Sequence, residues 1–161
     1  MNIADNPILT ADQKSLLRSF SKSDLRFSFY LTGGTSLSAF YLFHRLSEDL
    51  VFFSEGPIDS LKDILVNKLM AVTDRREPKD FVDLYFALRS RSDLNIDDLA
   101  QATESKFGVK GVKYVLRGRF VEALPPLGTL LMKQELDVKD LSRFFKRLAM
   151  TWIRSEIGKQ L

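Results

Sequence analysis

The sequence predicts an α/β (α+β) fold: a small sheet packed on helices, followed by a helical C-terminal lobe. Three observations carry that expectation. Phe27–Thr32 and Leu50–Phe53 are short runs rich in aromatic and branched residues, the composition of strands. Between them, Leu37, Phe40, Tyr41 and Phe43 mark a helical segment. From Ser60 onward apolar residues recur at helical spacing, with no further strand-like run. This divides the chain into a core over residues 1–90 and a helical lobe over residues 91–161.

In chain order, Thr10-Ala-Asp-Gln13 has the spacing of a capping box, in which the Thr10 hydroxyl takes the third amide and Gln13 reaches back. Leu16, Leu17 and Phe20 are the expected buried side of that first helix. The strand at 27–32 runs into Gly33-Gly34, a helix spans 35–46, and the continuous apolar run Leu50–Phe53 reads as a buried second strand. Ser54–Pro57 forms a turn. Ser60-Leu-Lys-Asp63 resembles another capping box, opening a helix with Leu61, Ile64, Leu65 and Leu69 inward. Pro78 suits the first turn of the next helix, where its missing amide costs nothing. That helix holds Phe81, Leu84, Tyr85 and Leu88 and ends near Ser90. Ile96, Leu99 and Phe107 belong to one further segment, and Val112, Val115 and Leu116 to another. Pro125-Pro126 forces a break. Asp137 can cap a last helix whose apolar face is Leu141, Phe144, Phe145, Leu148 and Trp152.

Composition bounds the chemistry. With 45% hydrophobic and 28% charged residues over 161 positions, the chain is globular. The absence of cysteine excludes disulfides and thiolate zinc sites, and a single histidine excludes a multi-histidine metal cluster. No apolar stretch approaches the roughly 20 residues that span a bilayer, and the N-terminus lacks a signal-peptide pattern. A cytoplasmic protein with no membrane partner is expected. The net charge of +3 is uneven: residues 91–161 carry 13 Lys+Arg against 9 Asp+Glu, while residues 1–90 carry 11 against 12.

Tyr30-Leu-Thr-Gly-Gly-Thr-Ser-Leu-Ser38 places paired glycines between a strand and a helix. Glycine lets the backbone approach a phosphate, and the helix start offers free amides at the positive end of its dipole. Thr35 and Ser36 add hydroxyls; a plain tight turn with a helix cap uses the same residues. His44-Arg45-Leu-Ser47-Glu48-Asp49 follows, leading into the second strand. The lone His44 reads as a surface or capping group. Farther on, Lys68 and Arg75 lie seven residues apart and Asp80 and Asp83 three apart, so each pair shares a helix face. An ion-paired hinge, with Asp80 bonded to Arg75 or Arg76, accounts for the same residues.

The order of strand, Gly-Gly-Thr-Ser, helix, Arg-x-Ser-x-Asp and second strand resembles the core of the polymerase-beta-like nucleotidyltransferase superfamily, and in detail the AbiEii-type toxins. The downstream Lys68, Arg75 and Asp80-x-x-Asp83 resemble a second motif of that family. The resemblance implies that Gly33, Gly34, Thr35, Ser36, Arg45, Ser47 and Arg75 bind a nucleoside triphosphate. It implies activity for Asp49, Lys68, Asp80 and Asp83, with Asp49 also a magnesium ligand. Two closely spaced carboxylates hold two magnesium ions in this chemistry, which clamp the attacking and leaving oxygens. Here the family pattern expects Asp at position 51 and the chain has Val51. It also expects several more strands, with a third Asp, where this chain has only the short stretch from Ser54 to Ser60.

Two functions follow from the resemblance. One is transfer of a nucleotide from an NTP to an RNA or protein acceptor, with magnesium, as the toxin of a toxin–antitoxin or phage-defence pair. The other is a catalytically impaired descendant that binds nucleotide, RNA or a partner. The partners implied are a cognate antitoxin and an RNA acceptor. Lys110, Lys113 and Arg117, and then Arg143, Lys146, Arg147 and Arg154, fall where they could meet a phosphate backbone, or simply face solvent. A short open sheet with Phe52 and Phe53 on it predicts self-association or a docked partner strand.

Overall fold

Two three-residue strands make the sheet in the computed structural model, which describes residues 3–54, 60–128 and 130–157. β1 (Tyr30–Thr32) pairs antiparallel with β2 (Val51–Phe53), setting Tyr30 opposite Phe53, Leu31 opposite Phe52 and Thr32 opposite Val51. β1 is shorter than its composition predicts because Asp24–Phe27 winds into a 3-10 turn. The amides of Ser28 and Phe29 both donate to the Leu25 carbonyl, at 3.0 and 2.8 Å, so they are spent before the ladder begins. The further strands implied by the resemblance are absent among the described residues. The expected turn at Ser54–Pro57 lies, beyond Ser54, outside them.

The chain divides into two compact units, Met1–Ile64 with Leu130–Glu135, and Leu65–Thr129 with Leu136–Leu161. In the first, helix α1 (Ala11–Lys22) opens on the expected capping box: Gln13 N donates to Thr10 Oγ1 at 3.2 Å, and Thr10 N donates to Gln13 Oε1 at 3.0 Å. The inward face of α1 holds Leu17 and, partly, Phe20, as expected, but not Leu16. Leu17 is buried and Gln13, four residues before it, shares that face, whereas Leu16 is 54% exposed. Leu17 packs with Ile8, Leu9 and Ala39, and Leu31, Leu50 and Phe52 close over this cluster.

After β1 the chain turns directly into α2 (Gly33–Ser36), which continues as a π-helix over Leu37–Leu42. The helical stretch therefore ends four residues before the expected Leu46. Phe43 stops it by adopting the left-handed conformation (φ 51°), with its amide on the Ser38 carbonyl at 2.9 Å. Leu37, Ala39 and Leu42 face inward, while Phe40 and Tyr41 face solvent. Carbonyls of this helix are satisfied from distant segments: Asn6 Nδ2 donates to Ala39 O at 2.7 Å and Gln134 Nε2 to Leu42 O at 2.8 Å. Residues 130–135 return to this unit, with Leu46 N donating to Leu131 O and Lys133 N to His44 O, both at 2.8 Å. His44 is fully buried beneath them, not at the surface.

Helix α3 (Leu61–Asp74) carries the chain from the first unit into the second. Its capping box forms as expected, with Asp63 N on Ser60 Oγ at 3.2 Å and Ser60 N on Asp63 Oδ2 at 3.2 Å. α4 (Pro78–Ser90) begins at Pro78, and α5 (Ile96–Phe107) is capped by Asn95 and stopped by Gly108 at φ 64°. α6 (Val112–Val121) and α7 (Val138–Ile157) complete the unit, the latter capped by Asp137 through Lys139 N at 2.8 Å. Aromatic rings form its centre: Phe145 lies 5.5 Å from Phe81 and 4.7 Å from Phe120, and Trp152 stacks on Phe120 at 5.8 Å. Phe107 on α5 and Val115 on α6 are each 40% exposed, whereas Leu99 and Leu116 are buried.

Candidate functional site

The glycine turn is built by its neighbours. Gly33 has φ +74°, a conformation that a Cβ disfavours, and a Cβ there would also meet Val51 at 3.3 Å. At Gly34 a Cβ would lie 2.9 Å from Arg45 Nη2 and 3.0 Å from Ser47 Oγ. The structure thus brings Gly33, Gly34, Arg45, Ser47 and Val51 together around one helix start. Thr35 is fully buried, and its hydroxyl donates to the Asp49 carbonyl and, at 3.4 Å, to the Ser47 carbonyl. Ser36 is buried as well. Thr35 is a strut that ties the 47–49 segment to the turn.

Gln13 reinforces that strut from the other side. Its Nε2 donates to Ser47 O at 2.8 Å and Glu48 O at 2.9 Å while its Oε1 completes the α1 cap. Arg45 is buried, with Nη1 donating to the Leu46 carbonyl at 2.8 Å, and its backbone pairs with Met132. Neither Gln13 nor the 130–135 segment was singled out as part of this site. The capping-box spacing pointed to Gln13 only as a helix cap, and nothing local in residues 130–135 signals where they pair.

Asp49 is exposed, and Val51, two residues on and beside Gly33, supplies no carboxylate. Two-magnesium chemistry needs clustered carboxylates. Among the described residues no group of three or more His, Asp or Glu is placed to hold a metal. The donor set around the turn does not fit a two-magnesium centre.

The second unit holds a separate charge cluster. Lys68 Nζ on α3 contacts Asp80 Oδ1 at 2.7 Å and Asp83 Oδ2 at 2.8 Å, and Arg75 Nε contacts Asp80 Oδ2 at 3.1 Å. Asp80 and Asp83 are fully buried and the Lys68 side chain is 11% exposed. Desolvation, the largest single influence on Lys68, favours the neutral amine, but the combined pull of Asp83 and Asp80 outweighs it and raises the pKa above the ordinary lysine value. Lys68 is therefore a fixed ammonium and not a base. Lys68 and Arg75 do converge, but on Asp80 and not on open space. Arg76 turns away, to the Ala123 carbonyl and to Glu122 at 3.0 Å.

The same unit carries two basic surfaces. On α7, Arg143, Lys146, Arg147 and Arg154 line a groove of about 520 Å³ with Met150 and Thr151. On α6, Tyr114 is 71% exposed with the Arg117 guanidinium 5.1 Å from its ring centre. This exposed aromatic was not expected from sequence, where no ring stood out among the basic residues. Trp152 and Phe145 belong to the core, as expected, and Phe144 is half-buried against Tyr85 and Phe145.

No helix among the described residues is long and apolar enough to cross a membrane. Neither the curated proteins nor the solved structures yield a match to this sequence. The family model described as "Nucleotidyl transferase AbiEii toxin, Type IV TA system" matches it in two segments, residues 15–62 and 55–151. The first segment holds the glycine turn with Arg45, Ser47 and Asp49, and the second holds Lys68, Arg75, Asp80 and Asp83. By that match, which spans most of its length, the chain belongs to the AbiEii family of nucleotidyl transferase toxins.

Proposed function

We propose that this AbiEii-family chain binds a nucleoside triphosphate at the Gly33–Gly34 turn, as the toxin half of a toxin–antitoxin pair. The observation that carries the proposal is the juxtaposition at Gly34. Its missing side chain makes room for the Arg45 guanidinium and the Ser47 hydroxyl, which lie 2.9 and 3.0 Å from where that side chain would start, beside the first turn of the helix. Amides at the positive end of a helix dipole, beside a guanidinium, attract phosphate oxygens. The family resemblance supports transfer of the nucleotide to an RNA or protein acceptor. The basic faces of α6 and α7, with Tyr114 for a base to stack on, favour RNA.

Within this reading, magnesium arrives with the triphosphate it coordinates and not at a prebuilt protein site. Asp49 is the family-matched carboxylate of the turn that remains to meet it. A second reading, favoured by Val51 packed on Gly33, is that transfer is impaired and the chain acts by binding nucleotide, RNA or its partner. Incubation with each radiolabelled NTP, magnesium and total RNA separates the two. Label appearing on RNA supports transfer; saturable NTP binding without label on any acceptor supports the binding role. Failure to bind any NTP would overturn the proposal and leave, of the second reading, only the binding of RNA or a partner.

Lys68, Asp80 and Asp83 serve the proposal as a preset charge arrangement in their own unit. An arriving phosphate could draw on Lys68 only by competing with two buried carboxylates, so this cluster acts first in positioning α3 against α4.

A further inference from the structure

We propose that the groove between α6 and α7 takes an unpaired base of a single-stranded RNA, with the α7 cations holding the strand's phosphates. The choice of RNA rests on the reading above that the acceptor is an RNA. α6 and α7 meet through Phe120, whose ring lies 4.7 Å from Phe145 and 5.8 Å from Trp152. Outside that contact lies an open groove of about 470 Å³, with Tyr114, Val115 and Val121 exposed on it and Ile153 contributed by α7. Gly118 is the residue that opens it. Glycine inside a helix weakens it relative to alanine. Unlike Gly33, Gly118 has no left-handed backbone, and a Cβ there would meet nothing within 4 Å. Neither conformation nor packing within the described chain therefore requires glycine at this place. It stands one turn from Tyr114 and Val115 and one turn from Val121, so the missing side chain leaves a dent among them. A flat ring fits such a dent. The exposed Tyr114 ring, with the Arg117 guanidinium 5.1 Å from its centre, is the pairing of aromatic and cation on which bases stack.

Charge selects a polyanion over an apolar peptide. α6 carries Lys113, Arg117 and Arg119 and no acid, and no acid occurs from Arg143 to Arg154 on α7. Some of these cations are committed within the fold. Lys113 pairs with Asp97, Arg119 Nη2 donates to the Thr73 carbonyl at 3.1 Å, and Arg143 leans on Asp137 and Asp140 at 3.8 and 3.7 Å. The one acid on the groove, Glu122, is paired with Arg76 at 3.0 Å. Lys146, Arg147 and Arg154 remain exposed along the second groove, and among the described residues no carboxylate forms an ion pair with them. Ile153 lies three residues beyond Met150 and seven beyond Lys146, so the two grooves border each other along one side of α7. A base seated over Gly118 thus has its phosphates beside free cations. A second copy of this chain would set cations against cations. A duplex keeps its base faces stacked on one another and closed to Tyr114, so the occupant is a single strand.

The test titrates the full chain into a fluorescein-labelled oligouridine of about a dozen nucleotides and reads anisotropy. Binding should be saturable, should weaken about tenfold in Tyr114→Ala and in Gly118→Leu, and should stay near wild type in Tyr114→Phe, which keeps the ring. Gly118→Ala should melt at a higher temperature than the wild type and yet bind more weakly, which separates the site from a folding defect. Lys146→Ala combined with Arg154→Ala should lower the slope of log affinity against log salt by about 1.4, two phosphate contacts at about 0.7 each. A blunt RNA duplex of the same length should bind without regard to residue 114. Absence of saturable oligouridine binding, or binding indifferent to Tyr114→Ala and Gly118→Leu, would overturn the proposal. Light scattering that shows a dimer abolished by Gly118→Leu would overturn it in favour of a second copy. Transfer of label to RNA that Tyr114→Ala leaves unchanged overturns this site and leaves the proposed function standing. Oligouridine binding lost in Tyr114→Ala, with no RNA labelled, supports this site and overturns transfer.

Discussion

Removing the Lys68 ammonium should destabilise this protein more than its small area of contact suggests. Lys68→Met keeps the aliphatic stem and deletes the charge that touches Asp80 at 2.7 Å and Asp83 at 2.8 Å. At an effective dielectric near 20, each contact carries roughly 6 kcal/mol of Coulomb attraction. Desolvating three ions offsets most of that in the intact protein, so the cluster's net contribution is small. The variant loses the attraction but still buries both carboxylates, with Arg75, half exposed, left to Asp80 alone. Breaking a buried pair in this way costs about 3–5 kcal/mol. At about 2–4 °C per kcal/mol for a chain of this size, the melting temperature should fall by about 10 °C. Adding Asp80→Asn and Asp83→Asn to Lys68→Met should recover part of the loss, because the uncompensated charges are then gone. Thermal denaturation of the three proteins by circular dichroism measures this. A loss below about 1 kcal/mol in Lys68→Met, or a triple variant less stable than the single one, would refute the reasoning.

Other consequences follow from the same contacts. Because the Lys68 pKa is raised in the folded state, its contribution to stability is complete below about pH 10 and is lost as pH climbs through the folded value. Urea unfolding between pH 8 and pH 11 should show that alkaline loss in the wild type and a smaller one in Lys68→Met. Gly33→Ala should destabilise by about 1–2 kcal/mol, because a Cβ is strained at φ +74°, and Val51→Ala should relieve only the contact part. Thr35→Val should cost about 1–3 kcal/mol, because the Asp49 and Ser47 carbonyls lose a buried donor; chemical denaturation checks both. Val51→Asp should raise magnesium affinity of the nucleotide-bound protein, read by calorimetry, if position 51 is the missing member of a carboxylate pair.

The elements that announced themselves in the sequence were those with a local physical signal. Thr10 to Gln13 and Ser60 to Asp63 form their capping boxes because that chemistry is complete within four residues. Pro78 starts α4 and Asp137 caps α7 for the same reason. What local pattern could not supply was which face wins when two compete. On α1 Leu17 faces inward and Leu16 does not, while Gln13 takes a buried place with its amide on the Ser47 and Glu48 carbonyls. The helix after Gly34 stops at Phe43, which turns left-handed, and remote Asn6 and Gln134 satisfy carbonyls of its π-turns, which no periodicity records.

The same division holds for the functional residues. Gly33 and Gly34 were legible as a turn between a strand and a helix, and Arg45 and Ser47 through the resemblance of the motif that follows; that the four meet at Gly34 is a tertiary fact. That Thr35 would spend its hydroxyl on Asp49 and Ser47, and that Lys68 would be enclosed by Asp80 and Asp83, depends on tertiary burial. Motif spacing put Asp80 and Asp83 on one face and left open whether they face solvent or a cation. Nothing local marks Tyr114, since its 71% exposure and its place under the Arg117 guanidinium are set by how α6 packs.

The central claim is that the Gly33–Gly34 turn takes the phosphates of a nucleoside triphosphate without a prebuilt two-metal centre. Titration of ¹⁵N-labelled protein with an NTP, with and without magnesium, tests it most directly, since glycine amides are readily resolved. The account predicts saturable shifts of the Gly33 and Gly34 amides in both conditions, with tighter binding when magnesium accompanies the nucleotide. Unmoved glycine amides at saturating NTP, or shifts that occur only after magnesium has first bound the protein alone, would contradict it.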